Sequence, residues 1–181
     1  MSMYHKLFHQ NQSHNPMPNI QNNNGPGLTP PYCHGNVNLS HPGGNIELRD
    51  YGQQPLVINI DQAAKYNQNY RTALWTGKHF QVTLMSIPVG EDIGLEVHPT
   101  TDQFIRIEEG QGLVQMGDEK DNLNFQTMAC KDYAVMVPAG KWHNITNIGS
   151  VPLKVYVIYA PPEHPYGTVH ETKAIAMSSE S

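Results

Sequence analysis

From Glu47 onward, apolar and polar positions alternate in short runs that break at turn residues. Phe80, Val82, Leu84 and Ser86 take turns with Gln81, Thr83, Met85 and Ile87, the period of two expected where a strand covers one face. Comparable runs predict strands at 56–60, 95–99, 103–108, 113–116, 124–128, 134–137, 142–146 and 153–159. Gly90, Gly94, Gly110, Gly112, Gly117, Gly140 and Gly149 punctuate them. Many short strands with regular turn signals predict an all-β sandwich or barrel. One helix interrupts the pattern. Asp61 is placed to N-cap a short helix running through 62–70, which Ala63 and Ala64 favour and the asparagines do not.

Strand parity carries a second expectation, because a slip of one residue turns every side chain over. If Gln103 faces inward, so do Ile105 and Ile107, which sends Arg106 and Glu108 to water. If His143 faces inward, Ile145 follows it and Asn144 points away.

The alternation is missing from residues 1–45. Lys6 is the single Lys, Arg, Asp or Glu there, and the text is Asn, Gln, His, Pro and Gly. Such a stretch buries too little apolar surface to offset its ordering entropy, so a disordered leader is expected. His5, His9, His14, His34 and His41, half of the ten histidines, fall within it. The expected organisation is a leader over 1–45, a barrel over 46–170 and a fraying tail over 171–181, with the segment from Pro161-Pro162 draped over the barrel.

Charge narrows the partners. A formal net charge of −5 with no dense Lys/Arg stripe disfavours nucleic acid and anionic membrane. No apolar run approaches the roughly 20 residues of a membrane span, and MSMYHKLFHQ lacks the apolar core of a secretory signal. Two cysteines are too few for a disulfide framework, so a reducing cytoplasmic setting is expected, with Cys130 a buried thiol and Cys33 an exposed one.

The chemistry concentrates in Glu96-Val97-His98-Pro99, with Pro138-Ala139-Gly140-Lys141-Trp142-His143 further on. Residues two apart in an extended segment share a face and lie roughly 6.6 Å apart. Glu96 and His98 can therefore reach one ion if a partner strand sets His143 opposite them. Two imidazoles and a carboxylate form the facial set that suits reactive divalent metals. A Glu96 carboxylate walled by Ile105 and Ile107 would need a cation, a protonated His or a proton of its own. Around this set, Asp102 is read as an orienting or turn-forming residue and Trp142 as rim packing. Met85, Met116, Met128 and Met136 are read as core or interface filler. His164 and His170 are read as loop residues able to cap the mouth, while Arg71, Lys78 and Lys141 are available to an anionic substrate.

These residues resemble the two signature motifs of the cupin superfamily. In the first motif Gly90, Glu96, His98, Gln103 and Gly110 fall in register, with Glu96 where the family has its first His and Gln103 where it has Glu. In the second, Pro138, Gly140, His143 and Asn147 are in register, with Asp132 at the usual Gly. The resemblance implies a double-stranded β-helix, the cupin or jelly-roll barrel, commonly homodimeric. It implies one divalent ion (Zn, Mn or Fe) held by Glu96, His98, Gln103 and His143, with Glu96 and His143 as the catalytic candidates. RTALWTG, LMSIPVGEDIGLEVHPTTDQFIRIEEG and APPEHPYGTVH are similar to small single-domain bacterial cupins often labelled by analogy with mannose-6-phosphate isomerase. The zinc-dependent enzymes of that name also use two His, one Glu and one Gln. The expected activity is therefore that of a metal-binding protein acting on a small polar metabolite in the manner of a sugar isomerase. The alternatives are an Fe- or Mn-dependent dioxygenase and a non-catalytic ligand-binding or structural cupin.

Overall fold

The computed structural model describes residues 46–179; the expected leader, with Cys33 and its five histidines, lies outside the described residues. In chain order the elements are α1 (Ile60–Tyr66), β1 (Arg71–Thr76), β2 (Gln81–Ile87), β3 (Asp102–Glu109), β4 (Gln111–Gly117), β5 (Phe125–Cys130), β6 (Ala134–Val137), β7 (Trp142–Asn147), β8 (Leu153–Ala160), β9 (Val169–His170) and α2 (Lys173–Ser179). They form a six-stranded sheet, β6-β3-β8-β2-β1-β9, and a three-stranded sheet, β5-β4-β7. The pairings are antiparallel. The all-β cupin expectation holds.

Apolar side chains from both sheets meet between them: Ile105 and Ile107 of β3, Val155 and Val157 of β8, Val114 of β4 and Ile145 of β7 are buried in one cluster. The chain passes from the large sheet to the small one at Gly110, whose φ of 89° suits glycine. A Cβ there would also lie 3.0 Å from the Leu153 Cα, so the close approach of β8 excludes a side chain. A second, smaller cluster lies on the other face of the large sheet, where Ala63 and Ala64 of α1 pack on Leu74 and Leu84. That helix explains why β2 is buried along nearly its whole length instead of alternating.

Several expectations are corrected. Residues 56–59 form no strand, and Val57 is fully exposed. The helix is capped by Asn59, whose side chain accepts from the Gln62 N–H at 3.1 Å, while Asp61 sits in the first turn and pairs with Lys65 at 2.5 Å. It stops at Tyr66, with Asn67 as C-cap. β1, which the alternation does not mark, is a strand with a bulge between Ala73 and Trp75, and its first four residues are buried whichever face they take. Glu108 does not face water: it is buried, within reach of Asp61 and paired with Arg106 at 3.2 Å. Cys130, at the end of the edge strand β5, is exposed. Met85 is core, but Met128 and Met136 are exposed. The segment expected to fray instead forms α2, anchored by the fully buried Ala176 and by an ion pair between Lys173 and Asp92. Among the described residues no helix is long and apolar enough to cross a membrane.

Candidate metal centre

β7 alternates cleanly, with His143, Ile145 and Asn147 buried. β3 does the same with Gln103, Ile105 and Ile107, so both parity expectations hold for the inward set. The segment carrying Glu96 and His98 is not the strand expected at 95–99. Gly94, at φ 84°, and Pro99, which lacks an N–H, bracket an irregular stretch. It is pinned to β7 by isolated bridges, Asp92 to Thr146 and Glu96 to His143. At the second bridge, the Glu96 N–H donates to the His143 carbonyl at 3.1 Å and the His143 N–H donates back to Glu96 at 2.9 Å. One residue pair of the main chain thus sets two side chains face to face. Gly140 ties the turn before β7 to this segment by donating to the His98 carbonyl at 2.8 Å. Asp102 fixes the same turn by accepting from the Ala139 N–H at 2.9 Å.

Glu96, His98 and His143 come together so that their ligand atoms lie within 4.8 Å of one another. Glu96 Oε1 is 3.3 Å from His98 Nε2 and 3.2 Å from His143 Nε2. The far side of each ring decides what faces the carboxylate. His143 Nδ1 is 3.0 Å from the Lys141 carbonyl, and His98 Nδ1 is 3.1 Å from Glu163 Oε1. Both partners only accept, so each Nδ1 carries a hydrogen, and an unprotonated ring turns its Nε2 lone pair inward. The two Nε2 atoms and a carboxylate oxygen converge at one place, where a ring proton or a cation can balance the charge. Both Nε2 atoms are buried without a hydrogen-bond partner. Gln103 Oε1 is likewise buried and unpartnered on the same inner face. Buried acceptors left in this state cost about 1–3 kcal/mol each unless something positive satisfies them. A divalent cation would do so for Glu96, His98 and His143, and that donor set fits one.

The charges respond accordingly. Burial pushes the Glu96 carboxyl up, but the His143 and His98 imidazoles outweigh it and hold the group well below the ordinary carboxylate range. Burial pulls His98 down, and Glu96 and Glu163 reverse that to a net rise. In the metal-free protein, a proton on His98 is the natural competitor for the cation's place. Behind the ligands, Tyr159 is fully buried, its ring edge-on to His98 at 5.7 Å and to His164 at 5.0 Å. Burial raises the Tyr159 phenol well above its usual value, so it stays protonated. Burial, then the Arg71 charge, drives the His164 imidazole down to about 3, so it stays neutral near pH 7.

Not every sequence candidate joins the centre. Gln103 enters the interior opposite Tyr159 in the β3–β8 register. Asn147 holds main chain: its amide donates to the Ile87 and Val151 carbonyls, both at 2.9 Å, and its oxygen accepts from Gly149. Arg71 is buried, Lys141 is paired with Asp118, and Trp142 lies under the Lys120 ammonium. His170 meets Ser179 of α2. Glu163, which sequence reasoning passed over, is the orienting partner of His98; a Glu beside two prolines carries no motif that would mark it. A cavity of about 410 Å³ takes in Gln103 with Asp102, Phe104 and Met136, but not the Glu96–His98–His143 cluster.

The model of the family described as "Cupin domain" matches residues 83–159. The Bacillus subtilis protein YrkC is 63% identical over 136 residues, covering 75% of this chain and 73% of that protein. Protein L612 of Acanthamoeba polyphaga mimivirus is 38% identical over 117 residues, 64% of this chain and 71% of its own. Among solved structures, BH2720 from Bacillus halodurans is 64% identical with a TM-score of 0.71, covering 72% of this chain and 98% of that one.

Proposed function

The chain belongs to the cupin family, and from that premise we propose that it binds one divalent ion through Glu96, His98, His143 and Gln103 and acts on a small polar metabolite as a sugar-isomerase-like enzyme. One observation carries the metal reading: both His Nε2 atoms face Glu96 Oε1 at 3.2–3.3 Å while each Nδ1–H is held on the far side of its ring. The unpartnered Gln103 oxygen supports the fourth ligand and, with it, the isomerase-like set of two His, one Glu and one Gln. When bound, Zn, Mn or Fe would supply a Lewis acid that polarises a substrate oxygen. The protein's own part is to hold the imidazole tautomers through Lys141 and Glu163, keep Glu96 ionised, and keep water sparse. The Glu96 side chain retains 16% exposure, so the mouth is narrow but open.

Metal analysis of the purified full-length protein tests this. The expected result is close to one equivalent of divalent metal, lost in His98→Ala. Sub-stoichiometric metal that His98→Ala does not alter would end the metal reading. Interconversion of mannose 6-phosphate and fructose 6-phosphate is expected in the loaded protein, and its failure with Zn, Mn and Fe alike would remove the isomerase activity. The Glu96–His98–His143 set is also the two-His-one-carboxylate arrangement of Fe(II) oxygenases. Oxygen uptake with Fe(II) and small diketones or polyphenols, in place of sugar-phosphate turnover, would decide for that second reading.

A further inference from the structure

The segment after β8 is built into the barrel by two buried polar side chains that belong to neither the Glu96–His98–His143 cluster nor its turn. Gln81 is fully buried. Its amide nitrogen donates to the His164 carbonyl at 2.9 Å, and its oxygen accepts from the His164 N–H at 3.0 Å. A side-chain amide thus pairs with one residue's main chain as a neighbouring strand would. The same Gln81 nitrogen donates to the Thr76 hydroxyl at 2.8 Å, and that hydroxyl donates to Asp50 Oδ2 at 2.5 Å. Asp50, also buried, accepts from the Gly167 N–H at 3.0 Å, and its carbonyl accepts from the Tyr166 hydroxyl at 3.1 Å. Asp50 and Gln81 therefore grip the segment on either side of Pro165. The residue next to Gln81's grip is Glu163, the carboxylate on His98 Nδ1.

We propose that Gln81 and Asp50 are positioning residues for the metal centre: they seat the 161–170 strap so that Glu163 fixes the His98 ring, and so set metal affinity without touching the ion. The inference rests on the metal reading above. Its physical basis is that a carboxylate on a metal-bound His raises ligand basicity and fixes its tautomer, and removing such a partner costs about 10–100-fold in affinity. Glu163 can do this only while the strap is seated, and Asp50 and Gln81 hold it by its main chain, beside that residue and farther along the strap. The 46–52 region, remote in sequence from every ligand, becomes part of the site.

The test is a Co(II) titration of full-length metal-free protein, following the visible absorption of the bound ion, with a parallel melting curve of each metal-free variant. Glu163→Ala is expected to weaken Co(II) binding about 10–100-fold, and Glu163→Gln, which keeps an acceptor for Nδ1–H, to restore most of it. Gln81→Leu and the milder Asp50→Asn are expected to weaken binding as well. Combined with Glu163→Ala, either should add little, because all act through one contact. If wild type binds no Co(II), the metal reading itself has failed. If wild type binds and Glu163→Ala binds equally well, the positioning role of Glu163 is overturned. Additive losses in the doubles would overturn the shared route. So would folded Asp50→Asn and Gln81→Leu proteins with unchanged affinity; should Gln81→Leu not fold, Asp50→Asn alone decides.

Discussion

Glu96 and Glu108 are both withdrawn from solvent in the same barrel, one aimed at its interior and the other out from β3 toward α1. Burial pushes both carboxyls up. At Glu96 two imidazoles stand within 3.3 Å and reverse the effect, leaving it ionised. At Glu108 burial wins despite the opposing pull of Arg106, helped by a hydrogen bond to Asp61, and the carboxyl stays above its ordinary range. Burial acts on both in the same direction; the neighbours differ. A buried acid stays ionised where imidazoles bring hydrogen bonds and positive charge to it, and is held protonated more readily where another acid shares its proton.

The most disruptive way to break this contrast is Glu96→Gln. It keeps the shape and removes the anion, so stoichiometric divalent metal is expected to be lost, as measured on purified protein by elemental analysis; metal retained at wild-type level would mean the carboxylate is not the ion's anchor. Asn147→Ala calibrates a buried polar group with no charge at all. Loss of its three main-chain contacts is expected to cost about 1–3 kcal/mol in urea unfolding, with Co(II) affinity unchanged because Asn147 is no ligand. The smallest expected effect is Glu108→Gln, read as a pH dependence. A carboxyl whose folded pKa lies above the unfolded value, about 4.3 for Glu, contributes stability that is complete below that value. This contribution is lost as pH rises through the raised folded pKa. The wild-type urea midpoint should therefore lose ground relative to Glu108→Gln as pH rises through that window. A difference independent of pH would show that Glu108 titrates normally.

The inward faces of β3 and β7 were legible because alternation of Gln103, Ile105 and Ile107, and of His143 and Ile145, reports which side a residue takes. It does not report what covers the other side. Glu108 was expected in water because α1, which shields it, lies far back in the sequence. Burial of the first four residues of β1 likewise hides that strand from a period-two search. The 95–99 stretch reads as a strand in sequence, but bends at Leu95 and Pro99 leave it a single bridge at Glu96 in place of a ladder. The meeting of Glu96, His98 and His143 followed from motif spacing, whereas Glu163 reaches His98 through a strap bonded to Gln81 and Asp50, and no local pattern encodes that encounter.

The reciprocal bonds between Glu96 and His143 have a consequence for how such a centre can change over time. Those bonds engage amide hydrogens and carbonyls, which every residue except proline supplies, so they are indifferent to the groups mounted above them. A histidine at position 96, as the family pattern has, and the glutamate found here would hang from the same fixture at the same spacing. The main-chain pair leaves the choice of donor at position 96 to the side chain alone, while the surrounding backbone stays where it is.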